Sequence, residues 1–365
     1  MNARQQPLAI AGLGMVSCLG SSAELNAAAM RCDYDGFQET PFMQPYHAEP
    51  QIGAMVALAD EHQHLRGIKK LAHLGQAVIN EATQQVSPAA QDKQQIQLLL
   101  CLADTTAHIS YLSDSNAYQS LLQHIHPQID SASFHSRYRV YRQGRCGFTQ
   151  ALRQAQSSLY QDQLPYVLIV GIDSLLNNAI LAHYGGGLYG ENRRLLGEGH
   201  SNGFIPGEAA TAVLLKKAEA GDTVLISGVG ISEEPASLHQ LMQTDNDAIL
   251  KGKGLADAIN QAAQESGVAI HETACRVASV SGEDYFFTEA ALAQSKTLQK
   301  TVPEHPLWHP ADSIGEVGAA MGGAITIMAT FALNKNYAPG HNILCHLSND
   351  DKQRGAFIMQ KKPGE

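Results

Sequence analysis

Cys146 has the most chemistry available to it of any residue in this chain. It stands in the segment RCGFTQALRQAQSSL, shortly before the apolar run VLIVGIDS from Val167 to Ser174. That pattern predicts a cysteine at the mouth of a helix, followed by a buried strand. Unpaired N–H groups and partial positive charge at a helix N-terminus favour a thiolate over a thiol and could hold an oxyanion as well. Nucleophilic catalysis is therefore the chemistry against which the other residues must be weighed.

Several alternatives lose ground on spacing alone. The six cysteines, Cys18, Cys32, Cys101, Cys146, Cys275 and Cys345, contain no CxxC pair, so neither a metal site nor a disulfide framework is expected. No cofactor is expected either. Gly12 and Gly14 form a Gly-x-Gly, but Val16 and Ser17 stand where a dinucleotide fingerprint needs a variable residue and a glycine. Gly185 to Gly187, followed by LYGENRRLLGEGHSNG, reads as a long mobile loop without the Gly-Lys-Ser/Thr ending of a phosphate cradle. Among the 16 histidines, His183, His200, His305 and His309 are the candidates to swing toward Cys146 and form a Cys-His pair.

The elements that must position these residues follow from hydrophobic pattern. The chain has 365 residues, 44% of them hydrophobic, enough for a large core. Its net charge of −10 leaves no electrostatic footprint for nucleic acid or anionic lipid. The apolar runs Ile96 to Asp104 and Ile325 to Leu333 are far shorter than the ~20 residues of a membrane span. No secretory signal is visible, so cytoplasmic residence is expected. Helical spacing over Leu65 to Val86 and Leu255 to Ser266, alternating with strand patterns, predicts α/β layers. LAIAGLGMVS (Leu8 to Ser17) is echoed by VLISGVGIS (Val224 to Ser232), which suggests a duplicated architecture. The boundary is expected in the polar turn KKAEAGD, giving halves 1–217 and 218–365.

Four segments, in order, carry a resemblance to the β-ketoacyl-ACP synthases of the thiolase superfamily. They are IAGLGMVSCLG (Ile10 to Gly20), the cysteine segment with its following strand, SNGFIPGEAATAVLL (Ser201 to Leu215) and SIGEVGAAMGGA (Ser313 to Ala324). The resemblance implies a thiolase fold, a duplicated five-layered αβαβα arrangement with pseudo-twofold halves. It aligns Cys146 with the acyl-accepting cysteine, and implies acyl carrier protein or acyl-CoA as partner. It also implies a homodimer formed through the strand after the cysteine helix.

The same alignment shows departures. Ser281 stands where the family has its first histidine, Glu316 replaces the second, and Ala311 replaces an upstream lysine. SNDDKQRG (Ser348 to Gly355) replaces the glycine-rich loop that supplies an oxyanion-hole amide. Decarboxylating condensation needs donors for a developing enolate, and each lost donor costs about 3–4 kcal/mol. An ionised glutamate only accepts, and a serine does not shuttle protons near neutral pH as imidazole does. Glu316 has two readings, a general base beside the cysteine or a cap for the helix from Val317, and the cap is the expectation. Glu283 and Asp284 should add negative charge to the pocket. SGEDYFFTEAAL and SIGEVGAA also resemble thiolase-like accessory proteins of type VI secretion effector modules. The expected function is a catalytically impaired, adaptor-like partner of a secretion effector or its adaptor. The alternatives are an active acyltransferase or condensing enzyme using Cys146, and a non-covalent acyl-chain binder.

Overall fold

The computed structural model describes residues 6–44, 49–86, 96–104, 138–186, 193–197, 199–242 and 248–362. Of the loop expected after Gly185, residues 187–192 and 198 lie outside these.

The most continuous apolar runs become the innermost strands. β4 (Ile96–Leu102) is buried throughout, and β6 (Tyr166–Ser174) is buried from Val167 on. An uninterrupted apolar strand is what a sheet covered on both faces requires. β4 lies parallel to β5 (Arg139–Arg142) and to β6, and β6 pairs antiparallel with β7 (Glu208–Lys217), which pairs with β1 (Leu8–Val16). A second set of strands repeats this pattern. β9 (Cys275–Ala278) lies parallel to β10 (Leu307–Trp308) and to β11 (Asn342–Ser348), which pairs antiparallel with β12 (Gln353–Lys361), and β12 with β8 (Val224–Glu233). The sets meet where Leu8 faces Ile226 and Ala9 faces Leu225, giving the order β10-β9-β11-β12-β8-β1-β7-β6-β4-β5. β2 (Gln38–Met43) and β3 (Pro50–Gly53) form a separate two-stranded ribbon.

Helices complete the five layers. Gly67–Gln84 covers β1, β7 and β6 from outside, and Lys253–Ser266 covers β8, β12 and β11. Between the two sets lie the cysteine helix Gly147–Tyr160 and the helix Met321–Asn334, each touching strands of both. The latter is buried around most of its circumference, as a helix apolar on all sides must be. Where these two central helices meet, a Cβ on Gly322 would come within 2.3 Å of Phe148 Cβ.

The two Gly-x-Gly motifs serve packing. Built onto Gly12 and Gly14 of β1, a Cβ would lie 2.1 Å from Ala82 O and 2.3 Å from Val78 O. On Gly228 and Gly230 of β8 it would lie 2.2 Å from Ala262 O and 1.8 Å from Ala258 O. Residues two apart share a strand face and residues four apart share a helix face, so each motif docks a helix backbone directly on its strand.

One expectation is corrected here. β6, the strand after the cysteine helix, has both edges occupied, by β4 and β7, and cannot pair with a second copy. At that end of the sheet the outermost strand is β5. No helix of the described residues is long and apolar enough to cross a membrane. Gly230→Ala is expected to lower stability by about 1–3 kcal/mol through overpacking against the Ala258 carbonyl. Urea unfolding measured beside an exposed control, Gly221→Ala, checks this.

Candidate functional site

A tight turn, Gly144–Cys146, leads into the cysteine helix and leaves Cys146 at its N-cap. The side chain is 1% exposed. Its N–H donates to Asn349 Oδ1 at 3.0 Å, and its thiol donates to the carbonyls of Leu347 at 3.5 Å and Gln353 at 3.2 Å. All three partners belong to the hairpin that joins β11 to β12. Burial pushes the Cys146 thiol up to about 12, with Arg354 and Arg145 pulling it down less strongly. The expectation of a thiolate at a helix mouth is thereby corrected. Desolvation outweighs the helix terminus, and hydrogen bonds donated by the S–H favour the protonated form.

The same hairpin is pinned by a second buried pair. Arg354 Nε meets Glu289 Oε1 at 2.6 Å with both side chains fully buried, and Ser348 Oγ donates to Glu289 Oε2 at 2.6 Å. One Arg354 nitrogen, Nη1, donates to the carbonyls of Asn349, Asp351 and Gln353, and Nη2 donates to Tyr285 Oη at 2.8 Å. The loop SNDDKQRG is thus wound around its own arginine.

Beside Cys146 an ion network fills the site. Arg145 Nη1 contacts Glu316 Oε2 at 2.6 Å and Arg145 Nη2 contacts Asp350 Oδ1 at 2.5 Å. Arg194 grips Glu283 through Nε and Nη2, at 2.6 and 2.8 Å, and reaches Asp350 Oδ2 through Nη1 at 2.7 Å. Asp350 therefore bridges two guanidinium groups. Burial opposes ionisation of Asp350, but Arg194 and Arg145 outweigh it and hold its carboxyl well below the usual range. Burial raises the Glu283 carboxyl, with Arg194 acting the other way. The Arg194 guanidinium also lies 4.9 Å from the centroid of the Tyr184 ring.

What remains open is a cavity of about 90 Å³, with Arg145, Asp173, Arg194, Glu316 and Asp350 in its wall. Ligand pockets span about 300–1,000 Å³. Asp173 accepts the N–H groups of Ala319 and Ser174 at 2.9 Å each, and burial pushes its carboxyl up to about 7 against those bonds.

The residues singled out from the sequence fall as follows. Glu316 Oε1 accepts the Gly318 N–H at 2.7 Å, so one oxygen caps the turn before the helix Met321–Asn334 and the other binds Arg145. Ser281 is buried, and its hydroxyl has no hydrogen-bond partner among the described residues. No hydrogen bond joins Cys146 to either of them. Ala311 starts a short helix, Ala311–Ile314, and packs in the main core. Glu283 enters the network paired with Arg194, but Asp284 is exposed and its backbone N–H binds Asn202 Oδ1, so it adds no charge to the buried site. His305 is held by Thr273 and Gln294, His309 faces Asp312, His183 is exposed beside Tyr184, and His200 forms a bridge with Gly197. None of them hydrogen-bonds Cys146. His239 does line the cavity, and no sequence signal had marked it. Arg145 and Arg194 were equally unmarked; the available hint was an arginine directly before the cysteine.

Asp350→Asn is expected to cost about 1.5–3 kcal/mol at pH 7, the worth of hydrogen bonds to charged groups, because Arg145 keeps Glu316 and Arg194 keeps Glu283. The native carboxyl titrates below its unfolded value of about 3.9. Its contribution is therefore full above that value and lost as pH falls below it. The stability gap between wild type and Asp350→Asn should accordingly shrink between about pH 4 and pH 2, read by denaturant titration at each pH.

No family model matches the chain, and no curated protein matches it. Solved structures do. A type II polyketide ketosynthase solved in complex with its acyl-carrier protein superposes with a TM-score of 0.76 at 13% identity, covering 98% of this chain and 100% of that one. The ishigamide ketosynthase/chain length factor gives 0.75 at 14%, with the same coverage. A β-ketoacyl synthase from Burkholderia phymatum gives 0.71 at 13%, again over 98% and 100%. At such identities the likeness carries the architecture, and the chain has the thiolase fold in the form that ketosynthases use.

Proposed function

We propose that this protein keeps the ketosynthase scaffold without its condensing chemistry and acts as an accessory partner of other proteins. The observation that carries this reading is the ion network beside Cys146. Condensation requires an acylated cysteine and free donors aimed at a developing enolate oxygen. Here the cations that act on the cysteine are already committed, Arg354 to Glu289 and Arg145 to Glu316 and Asp350, and Arg194 beside them is committed to Glu283 and Asp350. The positions aligned with the family's two histidines hold Ser281 and Glu316. Burial, which pushes the Cys146 thiol up, holds it in the neutral form near neutral pH and so withholds the nucleophile.

The scaffold reading includes halves 1–217 and 218–365, supported by the matching strand order on either side of the β1–β8 seam. It also includes a homodimer, with β5 rather than β6 offering the edge. An acyl carrier protein is a candidate partner because one similar structure is a complex with such a protein. A secretion effector or its adaptor is a second candidate, resting on the resemblance of SGEDYFFTEAAL and SIGEVGAA.

Intact-mass analysis after incubation with acetyl-, malonyl- and octanoyl-CoA and an acylated carrier protein tests the loss of chemistry. The expected result is no adduct on wild type beyond that on Cys146→Ala. Native iodoacetamide should modify the exposed Cys32 and leave Cys146 unmodified until the protein is unfolded. A stoichiometric adduct that depends on Cys146 and turns over would establish the active acyltransferase instead.

A further inference from the structure

A second, larger cleft lies apart from the Cys146 cavity. Successive residues at the end of β6 divide between the two, with Asp173 and Leu175 lining the first and Ser174 and Leu176 the second. The second cleft measures about 490 Å³, within the range of small-molecule sites. Its walls are mostly apolar, formed by Phe42, Met55, Val56, Leu58, Leu71 and Leu176.

The polar groups of this cleft are few and unequal in charge. At its base Glu208 is fully used: Oε1 accepts from the Val56 N–H at 3.0 Å and from Lys70, and Oε2 accepts from Ser174 Oγ at 3.0 Å. Lys70 also donates to Val56 O at 3.1 Å, which leaves one of its three N–H donors uncommitted among the described residues. At the rim stands the exposed Arg66, at the N-cap of the long helix Gly67–Gln84. No side chain caps that helix, and no acidic residue lies in its first turn. Asp60 and Glu61, in the turn before it, contact Gln63 and His62 and do not line the cleft. Among the residues that line the cleft, Arg66 and Lys70 stand against the single acid Glu208, so the lining carries one excess positive charge beside an apolar interior.

We propose that this cleft binds a small amphipathic carboxylate, its alkyl or aryl body among the apolar walls and its anionic head at Arg66, Lys70 and the helix N-terminus. The proposal is independent of whether Cys146 is active. Calorimetric titration of the full chain with octanoate and with 2-naphthoate tests it and separates the alkyl source from the aryl one. Octanol is the neutral control. Saturable one-to-one binding of at least one acid is expected, weakened about tenfold or more when the carboxylate is replaced by the alcohol or when Arg66→Glu reverses the rim charge. Ala57→Trp, at an exposed position in the cleft wall, is expected to abolish binding by filling it. Because both substitutions are at exposed sites, their melting curves should overlay wild type. Absence of saturable binding by either acid overturns the proposal. So does equal affinity for octanol, or binding that survives both variants.

Discussion

Asp350 is held between two buried arginines, and that arrangement constrains everything around Cys146. Each charge removed from water carries a penalty of several kcal/mol, which is offset only if every partner sits in good geometry. Asp350 comes from the β11–β12 hairpin, Arg145 from the turn before the cysteine helix, and Arg194 from the segment before β7. Glu316 and Glu283 bring in the start of the buried central helix and the exit of β9. Five segments distant in sequence are thereby fixed to one another. Removing either arginine leaves a buried carboxylate without compensation, whereas each arginine keeps one carboxylate when a single acid is removed.

The hairpin holds its place through Arg354 as well as Asp350. Arg354 is paired with Glu289 and donates to three carbonyls of the loop it closes. That fixed loop presents the Leu347 and Gln353 carbonyls to the Cys146 thiol and the Asn349 side chain to its backbone N–H. A position that helix geometry alone would make nucleophilic is consequently desolvated and hydrogen-bonded in its neutral form. The surroundings of this cysteine are set by the hairpin as well as by the helix.

The fold was largely legible in the chain. The apolar run from Val167 gave β6, helical spacing gave Gly67–Gln84 and Lys253–Ser266 to within two residues at each end, and the echo of two Gly-x-Gly strands marked β1 and β8. These features are local in period or repeated, so a linear reading finds them. The site was only partly legible. The departures at Ser281, Glu316 and the SNDDKQRG loop could be seen as separate losses, and Glu316 as a cap. Their mutual contacts could not, because Arg145 and Asp350 lie more than two hundred residues apart.

By itself, then, the sequence determined which residues are present to do chemistry and the layered α/β architecture. Side-chain period is enough for that. Only the tertiary structure decided what those residues do to one another. Whether Cys146 is a thiolate or a buried thiol, and whether an arginine is a free donor or one half of an ion pair, depends on burial and on partners brought from distant segments. Those quantities exist only once the chain has folded.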